Sequence, residues 1–360
     1  MFDRADLKAA IEAGAISADN AARLEAFLKA RSDPDRGLDS ENLRFLTNFN
    51  DVFLAIGMAI LVVGVSVLSG TIFGEAFGAS RMTVVLTPLP VLATAWALAE
   101  YFCGRRRLLL PSMVLAVTIC ASAAVAVTGL LIPDEGGNVF SRDFDDTLAS
   151  VGYAGFGASA LAALAIFYRF RLPFSLFLAA LSVAGVFYTG VARLAGESAI
   201  FGGVATLIAG LATLATAIWF DARDPQRASI SSDCAFWLHM AAAPQIMLGL
   251  RGLILGSGFM PDGAGDALAM LAALVAFGVL SLALNRRALI VSGLISFIAA
   301  LGVLVEGVGG GEANTLMLTA LIVGGAIVLL GGGWRTARRF VLKLFPQQGF
   351  AGRIFPPEPA

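Results

Sequence analysis

The chain has 360 residues, of which 58% are hydrophobic and only 14% charged, against about 45–50% and about 25% in soluble domains. A water-soluble fold of this size cannot hide that much apolar surface, so the composition excludes one and points to lipid as the solvent. With a net charge of −1 and no basic patch interleaved with aromatics, a nucleic-acid-binding surface is excluded as well.

In chain order, residues 1–36 predict a cytoplasmic helical hairpin. Asp3 caps a first helix carrying Leu7 and Ile11, and Gly14 suits its end. Ser17 caps a second helix with Ala21, Leu24, Phe27 and Leu28 on one stripe. Two such helices bury little area, so the segment is expected to engage a homo-oligomer partner or another membrane protein. Residues 1–36 also lack the apolar run of a cleavable signal. The first apolar span is therefore expected to act as its own uncleaved targeting signal. Residues 37–50 read as a linker followed by a short interfacial helix that starts after Ser40.

Ten stretches then fit the roughly 20 apolar residues that cross a bilayer. They lie near 51–73, 82–103, 108–132, 146–168, 172–192, 199–220, 234–256, 265–284, 288–307 and 314–333. The fold class is thus all-α, a polytopic transmembrane bundle of about ten helices over residues 51–333. Gly70, Gly74 and Gly78, and again Gly252 and Gly256, have the GxxxG spacing that lets helices approach in lipid. Both sets lie near span ends, where loop flexibility explains them equally well.

Lys and Arg set the orientation. With the N-terminus inside, all but Arg81, Arg142, Arg193 and Arg251 of the 25 basic residues fall on the inner side. Dropping one span would flip every later loop and spoil this asymmetry, so the charges support the count. The inner turns recur at intervals of 55 to 64 residues, and two of them read alike: Arg106-Arg107-Leu108-Leu109-Leu110-Pro111 and Arg169-Phe170-Arg171-Leu172-Pro173. One reading is a repeated helical hairpin; the other is convergence of short inner turns on Arg and Pro. Residues 334–360 read as a basic cytoplasmic tail. Its Arg335, Arg338, Arg339 and Lys343, beside Phe340, Val341 and Leu344, are expected either to contact anionic lipid or to serve only as a positive-inside stop signal.

Ionisable groups inside a bilayer are costly, which makes them candidates for function. Glu100 and His239, the single histidine, are expected at one depth near the inner side, where they can pair. Pro244 and Gln245 sit mid-span in the seventh helix, either as a packing kink or as a break at a binding site. Arg193, Arg251 and Glu306 fall near outer span ends and form a candidate outer ion pair. The three cysteines lack metal-ligand spacing and read as small buried hydrophobes. No cofactor or metal is expected. No P-loop, HExxH or GxSxG motif is present, and no long catalytic loop, so an enzyme is not expected.

The turn Glu12-Ala13-Gly14-Ala15-Ile16-Ser17 within Leu7–Leu28, and the lead-in from Glu41 to Phe53, resemble the front end of a large family of bacterial polytopic membrane proteins. These contain an N-terminal helical-hairpin domain of unknown function. The resemblance implies a bacterial inner membrane and the same architecture, and no activity. Two functional expectations stand: a non-catalytic protein acting through lipids or protein partners, or a transporter or channel for a small solute, proton-coupled in one version.

Overall fold

The computed structural model describes residues 49–131, 143–195, 198–224, 229–256, 263–286, 288–307 and 311–343, with Ala13, Asn20 and Pro261 singly. The expected hairpin over residues 1–36, the linker up to residue 48, and the tail beyond residue 343 lie outside the described residues. So does most of the acidic loop that precedes residue 143.

Every regular element among the described residues is a helix. In chain order these are α1 (Phe49–Phe77), α2 (Arg81–Leu86), α3 (Pro88–Ala99), a π-turn (Glu100–Arg105) and α4 (Leu109–Gly129). There follow α5 (Asp143–Phe170), α6 (Phe174–Ala195), α7 (Ala199–Arg223), α8 (Ile230–Leu255), α9 (Ala264–Leu284), α10 (Ala288–Glu306) and α11 (Gly311–Leu342). Eight spans are long and apolar enough to cross a bilayer, and they coincide with the first eight expected ones. The ninth and tenth fall on α10, of 19 residues, and on α11. The latter has two parts, an apolar one over Asn314–Leu329 and a basic one over Gly331–Leu342, inclined at 66°. The run Gly331-Gly332-Gly333 lies at that bend, where no Cβ resists the change of direction.

The second span runs from Arg81 to Arg105 through α2, α3 and the π-turn; Pro88, which has no N–H to donate, stands at the junction of α2 and α3. Residue 334, the expected start of the tail, lies in the second part of α11 just past its bend, where Trp334, Arg338 and Leu342 recur every four residues and are all buried. Of the two readings of Pro244, the structure shows no break: α8 runs through the proline as one helix.

Two apolar clusters make the core. One joins Ala95 and Ala99 of α3, Leu115 and Ile119 of α4, Ala163 and Ile166 of α5, and Ala179 of α6. The other joins Leu214 of α7, Ala242 and Ile246 of α8, Met270 and Phe277 of α9, and Ala300 of α10. Helix α8 packs against α6, α7, α9 and α10. Half of its apolar window is buried, against 17% for α1, which makes α8 the central span and α1 a peripheral one. Trp237 of α8 sets its ring edge-on to Phe174 of α6 at 4.8 Å between centroids and so ties α8 to the first cluster as well. Exposed Phe53, Ile60, Leu161, Leu316 and Leu329 face outward, as they can where the surroundings are hydrocarbon.

Three of the turns between helices share a device. Arg107, Arg171 and Asn285 all adopt left-handed backbone, with φ of 53–55°. At Asn285 the backbone closes a Schellman motif: Arg286 N donates to Ser281 O at 3.1 Å and Asn285 N to Leu282 O at 3.2 Å.

The closest helix pair is α7 against α8, and glycine makes it so. A Cβ on Gly249 would lie 2.5 Å from the Leu207 backbone nitrogen, one on Gly210 2.8 Å from that of Ile246, and one on Gly203 2.9 Å from the Gly252 carbonyl carbon. Gly203 and Gly210 are seven apart and share a face. Of the expected GxxxG sets, Gly252 belongs to this contact. Gly74 has no neighbour within 4 Å, while Gly78 and Gly256 serve turns at positive φ. Gly249→Ala is therefore expected to lower stability by about 1–3 kcal/mol, and Gly74→Ala to change it little. Thermal unfolding in detergent compares them, and equal shifts would show that the α7–α8 approach is not limiting.

Candidate functional site

The C-terminal end of α7 and the N-terminal end of α8 meet at a turn, where Asp224 Oδ2 accepts from Ser229 N and Ser229 Oγ, both at 2.7 Å. The pairs run in register along this antiparallel hairpin: Gly203 with Gly252, Leu207 with Gly249, Thr213 with Gln245, and Asp221 with His239. Asp221 is the last acidic group on α7 before that turn. His239 is fully buried, and its Nε2 lies 2.8 Å from Asp221 Oδ2.

Arg286 completes the cluster from the α9–α10 turn. Its Nε donates to Asp221 Oδ2 at 3.2 Å, and a terminal guanidinium nitrogen donates to Asp221 Oδ1. This is the two-pronged geometry in which Arg holds a carboxylate best. Arg286 is 2% exposed and the Asp221 side chain 14%, so neither charge is left to water. The left-handed backbone at Asn285 aims Arg286 inward, and Ser281 Oγ locks the turn by donating to Arg286 O at 2.6 Å. Asn285 then accepts at Oδ1 from Trp334 Nε1 of α11 at 3.0 Å. One buried polar cluster thus joins α7, α8, the α9–α10 turn and α11.

A second ion pair lies in the other half of the chain. Arg169, at the end of α5, donates from Nε and a terminal nitrogen to Glu100 Oε1 and Oε2 at 3.1 and 2.7 Å. The π-turn begins at Glu100. The side chains are 56% and 39% exposed, so water weakens this pair.

The sequence expectations divide accordingly. Glu100 and His239 do not pair: Glu100 holds Arg169, and His239 holds Asp221. Sequence places residues in depth, and it was azimuth around the helices that decided the partners. Arg338 is buried on the face of Trp334 and Leu342 and so does not lie on the surface, whereas Arg335, Arg339 and Lys343 are exposed. Lys343 Nζ lies 4.9 Å from the centre of the exposed Phe340 ring. Arg193 and Glu306 are exposed at the ends of α6 and α10, and Arg251 is half-buried near the end of α8. Cys103, Cys120 and Cys234 are all buried thiols. Gln245 is buried, with Oε1 3.5 Å from Thr213 Oγ1 and with no hydrogen-bond partner for Nε2 among the described residues.

Sequence reasoning missed Asp221, Arg286 and Asn285. Asp221 was one residue beyond the expected span end at 220, and Arg286 read as one of many inner charges. The hairpin itself was the usable signal, because folding α8 back on α7 brings the single histidine to the depth of Asp221. No family model matches the sequence, and no curated protein matches it.

Removing one partner from a buried ion pair strands the other charge. Asp221→Ala is therefore expected to cost about 3 kcal/mol or more, and Glu100→Ala, in the exposed pair, no more than about 1 kcal/mol. Thermal unfolding of the two variants in one detergent measures the contrast, and a small shift for Asp221→Ala would mean that water reaches the cluster.

Proposed function

We propose that the chain is a non-catalytic multi-pass protein of a bacterial inner membrane, with both termini cytoplasmic, that acts through lipids and protein partners at that face. One observation carries the reading. Asp221, His239 and Arg286, buried in the bundle, satisfy one another, while the two clefts found among the described residues are apolar. One cleft, of about 300 Å³, is lined by Leu271, Phe277, Leu294 and Phe297 with seven further apolar residues. The other, of about 430 Å³, is lined by Leu176, Val183, Phe187 and Ile208 among others, with Thr213 and Thr216 as its hydroxyl groups. Ion-coupled carriers place acidic groups along the substrate path near the midplane. Here Asp221 lies in the last turn of α7 and is engaged by an arginine. The basic inner turns support the orientation, and the likeness of the first 53 residues supports the bacterial membrane.

A proton-coupled transporter is the second reading, favoured by the carboxylate–imidazole contact of Asp221 with His239 and by the unpartnered amide nitrogen of Gln245. Proteoliposomes loaded with a pH-sensitive dye separate the two. Proton flux equal to that of protein-free vesicles is expected; flux that Asp221→Asn removes would establish the transporter. A thiol at the midplane gives an independent check, with Gln245→Cys made alongside Cys103→Ser, Cys120→Ser and Cys234→Ser. No labelling by a small impermeant reagent from either side is expected, and labelling would show water in the bundle. For the partner role, removal of residues 1–36 is expected to abolish self-association or partner capture while the unfolding temperature of the bundle stays the same.

A further inference from the structure

The turns that join α3 to α4 and α5 to α6 meet at one end of the bundle. A Cβ on Gly104 would lie 3.7 Å from the Phe170 ring. That ring stands 5.7 Å, centre to centre, from Trp96 of α3. Arg105, Arg106 and Arg107 follow Gly104 directly, and Arg169 and Arg171 flank Phe170; all five are exposed. Contacts place three of the guanidinium groups. Arg169 forks onto Glu100, Arg106 Nε donates to Tyr101 Oη at 3.2 Å, and Arg171 lies over the Phe167 ring. Glu100 and Tyr101 are consecutive in the π-turn, so neighbouring residues hold Arg106 and Arg169. The side chains of Arg105 and Arg107 make no hydrogen bond, ion pair or ring contact among the described residues.

This patch carries more positive charge than the protein uses. Its five arginines face two acids: Glu100, which Arg169 holds, and Asp233 of α8, at the Arg171 edge beside Cys234. By contrast, Arg286 is spent on Asp221, and Arg223 adjoins Asp224. Arg107 and Arg171 also hold left-handed backbone, at φ of 53° and 55°, where glycine fits without strain. Arginine at both positions puts a cation on each turn at a cost to the backbone.

The surroundings indicate what carries the matching anion. On α5, exposed Leu161, Leu164 and Tyr168 share one face at helical spacing and lead up to Arg169. Tyr101 is exposed beside Arg106. An apolar stripe that ends in tyrosine and then arginine follows a bilayer from hydrocarbon through the interface to the headgroups. A soluble anion would engage the arginines and leave the stripe bare.

We propose that the two turns form a binding site for an anionic phospholipid. Arg105, Arg106, Arg107 and Arg171 are the cations that hold its phosphate, and its acyl chain lies along the Leu161, Leu164 and Tyr168 face of α5. Arginine offers phosphate oxygens paired N–H donors. The inference rests on the functional reading above and names the ligand class and its place.

The test uses the full chain in nanodiscs of phosphatidylcholine and phosphatidylglycerol at a fixed ratio, with retained lipid counted by native mass spectrometry. Phosphatidylglycerol is expected to be enriched on the wild-type protein. Arg105→Gln, Arg107→Gly and Arg171→Gly are each expected to reduce the enrichment about fivefold. The glycine variants relieve the left-handed positions, so their unfolding temperatures are expected to equal or exceed that of the wild type, which separates lost binding from lost folding. Arg223→Gln removes an exposed cation outside the patch and is expected to leave the enrichment unchanged. A phosphatidylglycerol with a photoreactive headgroup is expected to cross-link within residues 100–108 and 167–173. Equal retention of the two lipids, an equal loss for Arg223→Gln, or cross-links scattered over all the turns would overturn the site. Loss of the enrichment in inorganic phosphate at constant ionic strength would assign the patch to a soluble anion and overturn it too. Proton flux in the liposome assay with lipid enrichment intact would overturn the functional reading and not this site. Equal lipid retention with partner capture through residues 1–36 intact would overturn this site and not the reading.

Discussion

A carboxylate removed from water must find its compensation inside the protein, and Asp221 finds it in two segments at once. His239 reaches it from α8, and Arg286 forks onto it from the turn between α9 and α10. The same turn holds α11 through Asn285 and Trp334. In hydrocarbon no solvent waits to replace a lost partner, so the geometry of this end of the bundle is over-determined. The α7–α8 glycines set how closely the two backbones approach, and that distance places Asp221 opposite His239. Packing and charge compensation are in this sense one constraint: the apolar contact at Gly210 and Gly249 serves the polar contact several turns away.

The two halves of the chain handle charge differently. Glu100 and Arg169 sit half in solvent, at a π-turn and a helix end, where the pair contributes little to stability. Asp221, His239 and Arg286 are shielded, and each depends on the others. The exposed apolar faces of α1, α5 and α11 need no compensation of any kind. What distinguishes the Asp221 cluster is therefore a buried network of charge-assisted hydrogen bonds, whereas small side chains and apolar fit make the two core clusters.

The spans were legible because hydropathy integrates over about 20 residues and tolerates local irregularity. What sequence could not supply was rotation about each helix axis. Glu100 and His239 were assigned a common depth, but their helices present them to Arg169 and Asp221 instead. Arg338 read as one of four equivalent basic residues, yet its spacing from Trp334 and Leu342 turns it inward. Pro88 and Pro244 are both prolines within apolar spans, and only the first stands at a junction between helices. The glycine contacts were obscured for a similar reason: Gly203, Gly210 and Gly249 act between two helices, and the spacing that matters is not visible within either helix alone.

The order of the cluster along the chain has a consequence for biosynthesis. His239 follows Asp221 by 18 residues and Arg286 follows it by 65. A ribosome adding about 5–20 residues per second delivers the arginine about 2–10 s after the histidine. Over that interval the nascent α7–α8 hairpin holds its carboxylate with imidazole alone, and the protein enters the lipid with its central pair of helices awaiting a cation from a later segment. The charge compensation of the middle third is thus completed only by residues of the last third, and Trp334 is the last of them to emerge.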